Sequence, residues 1–185
     1  SNHTAYLSKP SLKKLFIDWI QKFSDKIESL TLTEKIHNLG YDVKEYYLKK
    51  VQEVISSLNN EDKLPYINHA LTLFRNNTTM LIKKLEIARW YVSHNKNDEA
   101  IVLADEIGNL ITGACLVKAE ALFNKAKVET DLDRRVKLLR ESLSSITSTT
   151  GTGSSKLIES VNELFIDTAE LYYSVKDSDK AYAIL

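Results

Sequence analysis

The sequence is poor in the residues that interrupt helices and cross-link chains. It contains five Gly, two Pro and one Cys among 185 residues. Because Gly and Pro are the residues that most disfavour a helix interior, their scarcity predicts long helices. A single cysteine excludes a disulfide within the chain and argues against a thiolate zinc site. We therefore expect an intracellular protein, from the cytoplasm or the nucleus.

Net charge and long apolar runs are also missing. Lys and Arg total 25, Asp and Glu total 25, and the formal net charge is zero. A neutral chain has no general attraction to nucleic acid or to an anionic membrane surface. The sequence has no apolar run of about 18 residues that would span a bilayer, and it begins without a signal-peptide pattern. We expect neither direct nucleic-acid binding nor membrane insertion.

The titratable residues form no recognised catalytic or metal-binding pattern. The four histidines are His3, His37, His69 and His94. None of them pairs with another at the i, i+4 spacing of a helical zinc motif. Cys115 lies among apolar residues, which predicts a buried structural thiol. The Gly-rich stretch 151–156 lacks the spacing of a phosphate loop and follows a helix instead of a strand. We therefore predict no enzyme activity, no metal and no cofactor.

Helical periodicity is what the sequence has in abundance. Apolar residues at a three-four spacing predict a helix over 11–29, and Thr31–Glu34 is typical of a capping box that starts the next helix. Gly40 is expected to break that helix, and another apolar stripe covers 43–58. Pro65 is placed in a first helical turn. Further helices are predicted at about 67–74, 80–94, 97–111, 114–127, 132–146, 156–175 and from 178 onward. With no period-two strand pattern of any length, the sequence predicts an all-α protein.

Composition also suggests how the chain is organised. The Ser/Thr/Gly segment 147–155 cannot bury apolar surface and is expected to be a flexible loop. We expect N-terminal helices over 1–79 that pack on an array of hairpins over 80–185. The chain begins without Met and stops on the apolar run 183–185, so we expect it to be part of a longer protein.

One pattern of small and aromatic residues occurs twice. Ala88 and Ala100 are twelve residues apart, with Tyr91 three residues after the first Ala and a polar turn before the second. The second copy has the same spacing at Ala169, Tyr172 and Ala181. Alanine at a helix crossing lets the two axes approach to the short end of the usual range of about 8–10 Å, and Tyr fills the space beside it. Each copy therefore predicts two antiparallel helices packed at close range.

Over residues 80–185 these units resemble tetratricopeptide repeats. In that family the first helix has a small residue followed three positions later by Tyr, and the second helix has small residues near its start. The middle of the array departs from this pattern, since Asp131 stands where a small residue belongs, and Leu81 and Asn162 stand where Trp would. The resemblance implies antiparallel helix hairpins stacked as a right-handed α-solenoid. Another α-solenoid and a compact helical bundle are the alternatives.

The resemblance also implies a function by binding. In that family the first helix of each repeat lines a concave surface where peptides or partner helices dock. Transferred to this chain, the candidate partner-binding residues are Arg89, Val92, Glu163, Asp167, Glu170 and Tyr173. We expect a scaffold or adaptor subunit of a larger complex, which binds a protein segment of basic or apolar character. The alternative is the helical regulatory portion of an enzyme whose catalytic region lies outside this sequence.

Overall fold

The computed structural model describes residues 9–21, 25–146, 152–175 and 177–184. Within these ranges every regular element is a helix, and there is no strand. The prediction of an all-α protein is confirmed. The chain divides into two compact units, residues 1–75 and 76–185.

The first unit has four helices in its described part. They are α1 (Lys9–Ile20), α2 (Lys26–Asn38), α3 (Lys44–Ile55) and α4 (Asn60–Leu73). Each helix packs on the next one along the chain. Ile20, Ile36 and Val43 form a buried apolar cluster, and Tyr47 of α3 is fully buried. The core of this unit is therefore built from apolar residues of α1 to α3, together with Ile67 and Ala70 of α4, which are also fully buried.

The predicted helix over 11–29 is wrong, because the chain ends one helix and starts another within it. The Asp25 carboxylate accepts a hydrogen bond from the Glu28 amide at 2.8 Å and so caps the start of α2. Ile27, part of the predicted buried stripe, is 53% exposed. The predicted capping box at Thr31 is also wrong, since Thr31 lies inside α2 and its hydroxyl donates to the Ile27 carbonyl. The sequence signal for the start of α2 is Asp25 three residues before Glu28, and the apolar spacing that runs through this point does not show it.

Two other breaks in the first unit have clear local causes. Gly40 has a φ of +85°, a left-handed conformation that favours glycine, and the predicted end of α2 is confirmed. The Asn59 side chain accepts a hydrogen bond from the Asp62 amide at 3.0 Å, so α4 begins earlier than expected. Pro65 consequently lies inside α4 instead of in its first turn.

The second unit has six α-helices in its described part. They are α5 (Thr78–Ser93), α6 (Asn97–Ile107), α7 (Gly113–Val128), α8 (Leu132–Ile146), α9 (Thr152–Ser174) and α10 (Ser178–Ile184), with a short 3-10 helix at Gly108–Leu110. Consecutive helices pack together, and α7 also packs on both α5 and α9. The boundaries predicted between 80 and 146 agree to within a few residues.

Both copies of the repeated pattern are buried where their helices meet. In the first copy, Ala88 and Ala100 are fully buried and Tyr91 is 6% exposed. The three residues of the second copy are 4–5% exposed. Short turns join α5 to α6 and α9 to α10, so each packed pair is an antiparallel hairpin. The predicted role of Ala at the contact between paired helices agrees with this burial.

The start of α9 differs from the prediction. The helix begins at Thr152, so 152–155 are helical instead of part of a loop, and Ser154 is buried. The rest of the predicted loop, 147–151, lies outside the described residues. The 23-residue α9 has exposed positions along much of its length. None of the helices in the described part of the chain combines the length and apolar character that crossing a membrane requires.

Candidate partner-binding groove

A groove of 300 Å³ lies between α9 and α10 at the end of the second unit. Its lining is apolar or aromatic except for one carboxylate. The lining residues are Ile166, Ala169, Glu170, Tyr173, Ala181 and Tyr182. All six lie on one helical hairpin, so the groove depends on how that hairpin packs.

The repeated Ala pair shapes the groove. Ala169 and Ala181 are buried beneath it, while Ile166, Tyr173 and Tyr182 are 50%, 65% and 76% exposed. Two small side chains below large exposed ones leave a depression, whereas larger residues at those positions would fill it. Single exposed apolar residues are ordinary, but three around one depression are typical of an interaction surface.

One edge of the groove is acidic. Glu163, Asp167 and Glu170 are exposed residues of α9, and we call these three the acidic ridge. At about 100° per residue they project on the same side of the helix, next to Ile166 and Tyr173. From residue 157 to the end of α9 the sequence contains no Lys or Arg. The α9 side of the groove is therefore bordered by three exposed carboxylates, with no Lys or Arg on the same stretch of helix.

A polar cluster holds α10 in place. The Tyr172 hydroxyl donates to Asp133 Oδ1 at 2.5 Å, and Lys180 Nζ donates to both Asp133 oxygens at 3.0 and 2.9 Å. The same ammonium lies 5.5 Å from the centre of the Tyr172 ring. Arg140 of α8 also donates to the Ala183 carbonyl at 3.3 Å. These contacts tie α10 to α8 and α9 and so position the wall of the groove that contains Tyr182.

The protonation states suit a structural contact. Burial, together with the hydrogen bond to Asp133, raises the pKa of Tyr172 to about 12. The hydrogen bonds from Tyr172 and Lys180 lower the pKa of Asp133. The hydrogen bond to Asp133 raises the pKa of Lys180. Asp133 and Lys180 therefore stay charged, and Tyr172 stays a neutral donor, throughout the neutral range.

Tyr47 and Tyr172 are expected to ionise near pH 12 instead of near pH 10. In Tyr47, burial and then the nearby charge of Glu34 raise the pKa to about 12. Because folding raises both pKa values, the neutral hydroxyls make their full contribution to the free energy of unfolding below pH 10. That contribution is lost as the pH rises from 10 to about 12. The measurement is tyrosinate absorbance, recorded by stopped flow before the protein unfolds. Tyr47→Phe and Tyr172→Phe should each remove one tyrosine from the absorbance transition near pH 12. Loss of a tyrosine from the transition near pH 10 instead would contradict this prediction.

The structure brings together four of the six residues predicted to bind a partner. Glu170 and Tyr173 line the groove, and Glu163 and Asp167 lie beside it. All four share one exposed face of α9, as expected from their spacing of three or four residues.

The two candidates on α5 lie elsewhere. The Arg89 guanidinium covers the start of α7, where its Nη2 would be 2.9 Å from a Cβ on Gly113. Val92 is 6% exposed, so it is part of the core and not of an open surface. It follows the buried Ala88 by four residues and therefore faces the same way. The prediction that Val92 lies on an open binding surface is therefore wrong.

Sequence reasoning missed the contribution of α10. Tyr182 is the most exposed aromatic residue of the groove. The resemblance to tetratricopeptide repeats predicted binding residues only on the first helix of each hairpin, so it did not predict Tyr182. The available signal was a large aromatic directly after Ala181, the small residue of the motif. Neighbouring helix positions differ by about 100°, so a buried Ala181 turns Tyr182 away from the core.

The cysteine and two of the histidines, whose side chains can act in catalysis or bind metals, make local contacts. Cys115, predicted to be buried, is only partly so, and its thiol lies 3.8 Å from Asn109 Oδ1. His69 Nε2 lies 2.9 Å from a Glu34 carboxylate oxygen. His94 Nδ1 lies 2.8 Å from the Trp90 carbonyl at the end of α5. Among the residues that the structure describes, no group of three or more His, Cys, Asp or Glu could hold a metal ion.

The groove is thus defined by an alanine floor, exposed aromatic walls and an acidic border. Such a surface can bind by burying apolar area and pairing charge. Its own chemistry is the guide to its function, because no family model, curated protein or solved structure matches the chain.

Proposed function

We propose that this chain is a protein-interaction scaffold or adaptor subunit of an intracellular complex, and not an enzyme. It binds a partner segment of basic or apolar character in the groove between α9 and α10. The observation that carries this proposal is the open depression over Ala169 and Ala181, flanked by the exposed rings of Tyr173 and Tyr182. Aromatic side chains that supply large contact areas are enriched at protein interfaces.

The proposed architecture of residues 80–185 is a tetratricopeptide-like array of stacked hairpins, wound as a right-handed α-solenoid. Two features support it. The first helices α5, α7 and α9 pack on one another in order, while each also packs on its own second helix. The Ala–Tyr–Ala pattern is buried in both the α5–α6 and the α9–α10 hairpins. In this arrangement α9–α10 is a repeat unit whose exposed groove serves as the docking surface.

Site-specific photo-crosslinking tests the proposed function. A photoreactive phenylalanine replaces Tyr173 in one variant and Tyr182 in another, and the chain is irradiated in cells. The matched control replaces Val128 of α7, an apolar residue that is 79% exposed and outside the groove. We expect both groove positions to capture the same protein segment and the control not to capture it. Capture at Val128 to the same extent, or no product at either groove position, would refute the proposal.

A further inference from the structure

The shape of the groove favours a helical occupant over an extended one. An extended peptide that adds to a protein surface gains most of its affinity from main-chain hydrogen bonds to an exposed strand edge. Both sides of this groove are helices, whose backbone groups already bond within the helix. An α-helix satisfies its own backbone and needs only apolar side-chain contact, which is what Ile166, Tyr173 and Tyr182 offer.

The acidic ridge adds a charge pattern to that shape. Its three carboxylates occur at positions i, i+4 and i+7 of α9, which span about 10 Å, or two helical turns. The one ammonium on α10, that of Lys180, is already bonded to Asp133 at 2.9 Å. The ridge therefore attracts cationic side chains and disfavours acidic ones.

We propose that the groove binds an amphipathic α-helix of a partner protein whose apolar stripe fills the groove and whose Lys or Arg residues, spaced i, i+4 and i+7, face the acidic ridge. Two parallel helices packed side by side have equal rises per residue, so equal spacing aligns the charges. The exposed tyrosine rings also offer π faces to the cationic side chains. This inference rests on the proposed function and specifies the partner's chemistry.

Peptide titrations test the charge pattern. Three fluorescent helical peptides share one apolar stripe and differ only at three flanking positions, which are Lys, Gln or Glu. Binding to the full chain is followed by fluorescence anisotropy at low salt. We expect the Lys peptide to bind about tenfold more tightly than the Gln peptide, since each exposed ion pair contributes only a few-fold. The Glu peptide should bind most weakly, and added salt should reduce these differences.

Reversing the charges of the acidic ridge provides a second test of the charge pattern. The triple variant Glu163→Lys, Asp167→Lys and Glu170→Lys should lose about tenfold in affinity for the Lys peptide and gain affinity for the Glu peptide. A control with the same change in net charge reverses three exposed acids elsewhere, Glu45, Glu99 and Glu120, and should keep the original preference. Circular dichroism establishes that both variants stay helical.

The outcomes separate this inference from the proposed function. Equal binding of the Lys and Gln peptides would overturn the charge pattern while leaving a protein-binding groove. An acidic or extended segment captured at Tyr173 would overturn the inference as well. If no peptide binds and no segment is crosslinked, both the inferred partner helix and the proposed function are contradicted. Concentration-dependent self-association that the ridge reversal abolishes would place a second copy of this chain in the groove and overturn the partner helix.

Discussion

Replacing Tyr172 by Ala is expected to lower the free energy of unfolding by about 4 kcal/mol, whereas Tyr173→Ala lowers it by less than about 0.5 kcal/mol. The two side chains are neighbours in sequence but differ in burial, at 5% and 65% exposed. Tyr172 belongs to a buried cluster with Leu139 and Phe165, so its removal leaves a cavity. It also removes the hydroxyl that bonds to Asp133.

Urea denaturation followed by far-ultraviolet circular dichroism measures this difference. Tyr172→Phe keeps the ring and loses only the hydroxyl, so its effect should lie between those of the two Ala variants. The Tyr173→Ala protein is the matched control, because it loses the same atoms from the next position of α9. Similar destabilisation by both Ala substitutions would show that the second Ala–Tyr–Ala unit does not pack as described.

Leu139→Ala is expected to lower the free energy of unfolding of the second unit by about 3 kcal/mol. Leu139 of α8 is fully buried and clusters with Val136 and Val161, so the substitution removes apolar contacts and leaves a void. Leu110→Ala makes the same chemical change at a side chain that is 53% exposed. We expect that control to change stability by less than about 0.5 kcal/mol.

Tryptophan fluorescence isolates the response of the second unit. The chain has two tryptophans, Trp19 in the first unit and Trp90 in the second. In a Trp19→Phe background the signal of Trp90 alone reports urea unfolding of residues 76–185. A Leu139→Ala midpoint equal to that of Leu110→Ala would contradict the burial of Leu139.

Sequence patterns predicted the bounds of α7 and α8 best. The boundaries of α8 agree at both ends, and those of α7 agree to within one residue. One failure came where apolar spacing ran through a break. The predicted stripe over 11–29 included Ile27, yet Asp25 starts a new helix there and leaves Ile27 exposed. Apolar periodicity records which face could be buried, but it does not record whether another element covers it.

The candidate site was predicted in part for the same reason. Glu163, Asp167, Glu170 and Tyr173 share a face because a helix alone sets that relation. Whether a position is covered depends on the neighbouring helix, so Val92 was placed on the surface although it is buried.

The sequence by itself determined the helical class and the two Ala–Tyr–Ala units, since these depend on residues within a turn or a hairpin of each other. It also determined that Glu163, Asp167 and Glu170 share one side of α9. The tertiary structure alone decided that Ala169 and Ala181 lie beneath an open groove with Tyr182 as one wall. It also decided that Asp133, almost 50 residues before Lys180, holds α10 in place. Such relations depend on which faces of separate helices meet, and no local pattern in the chain specifies that.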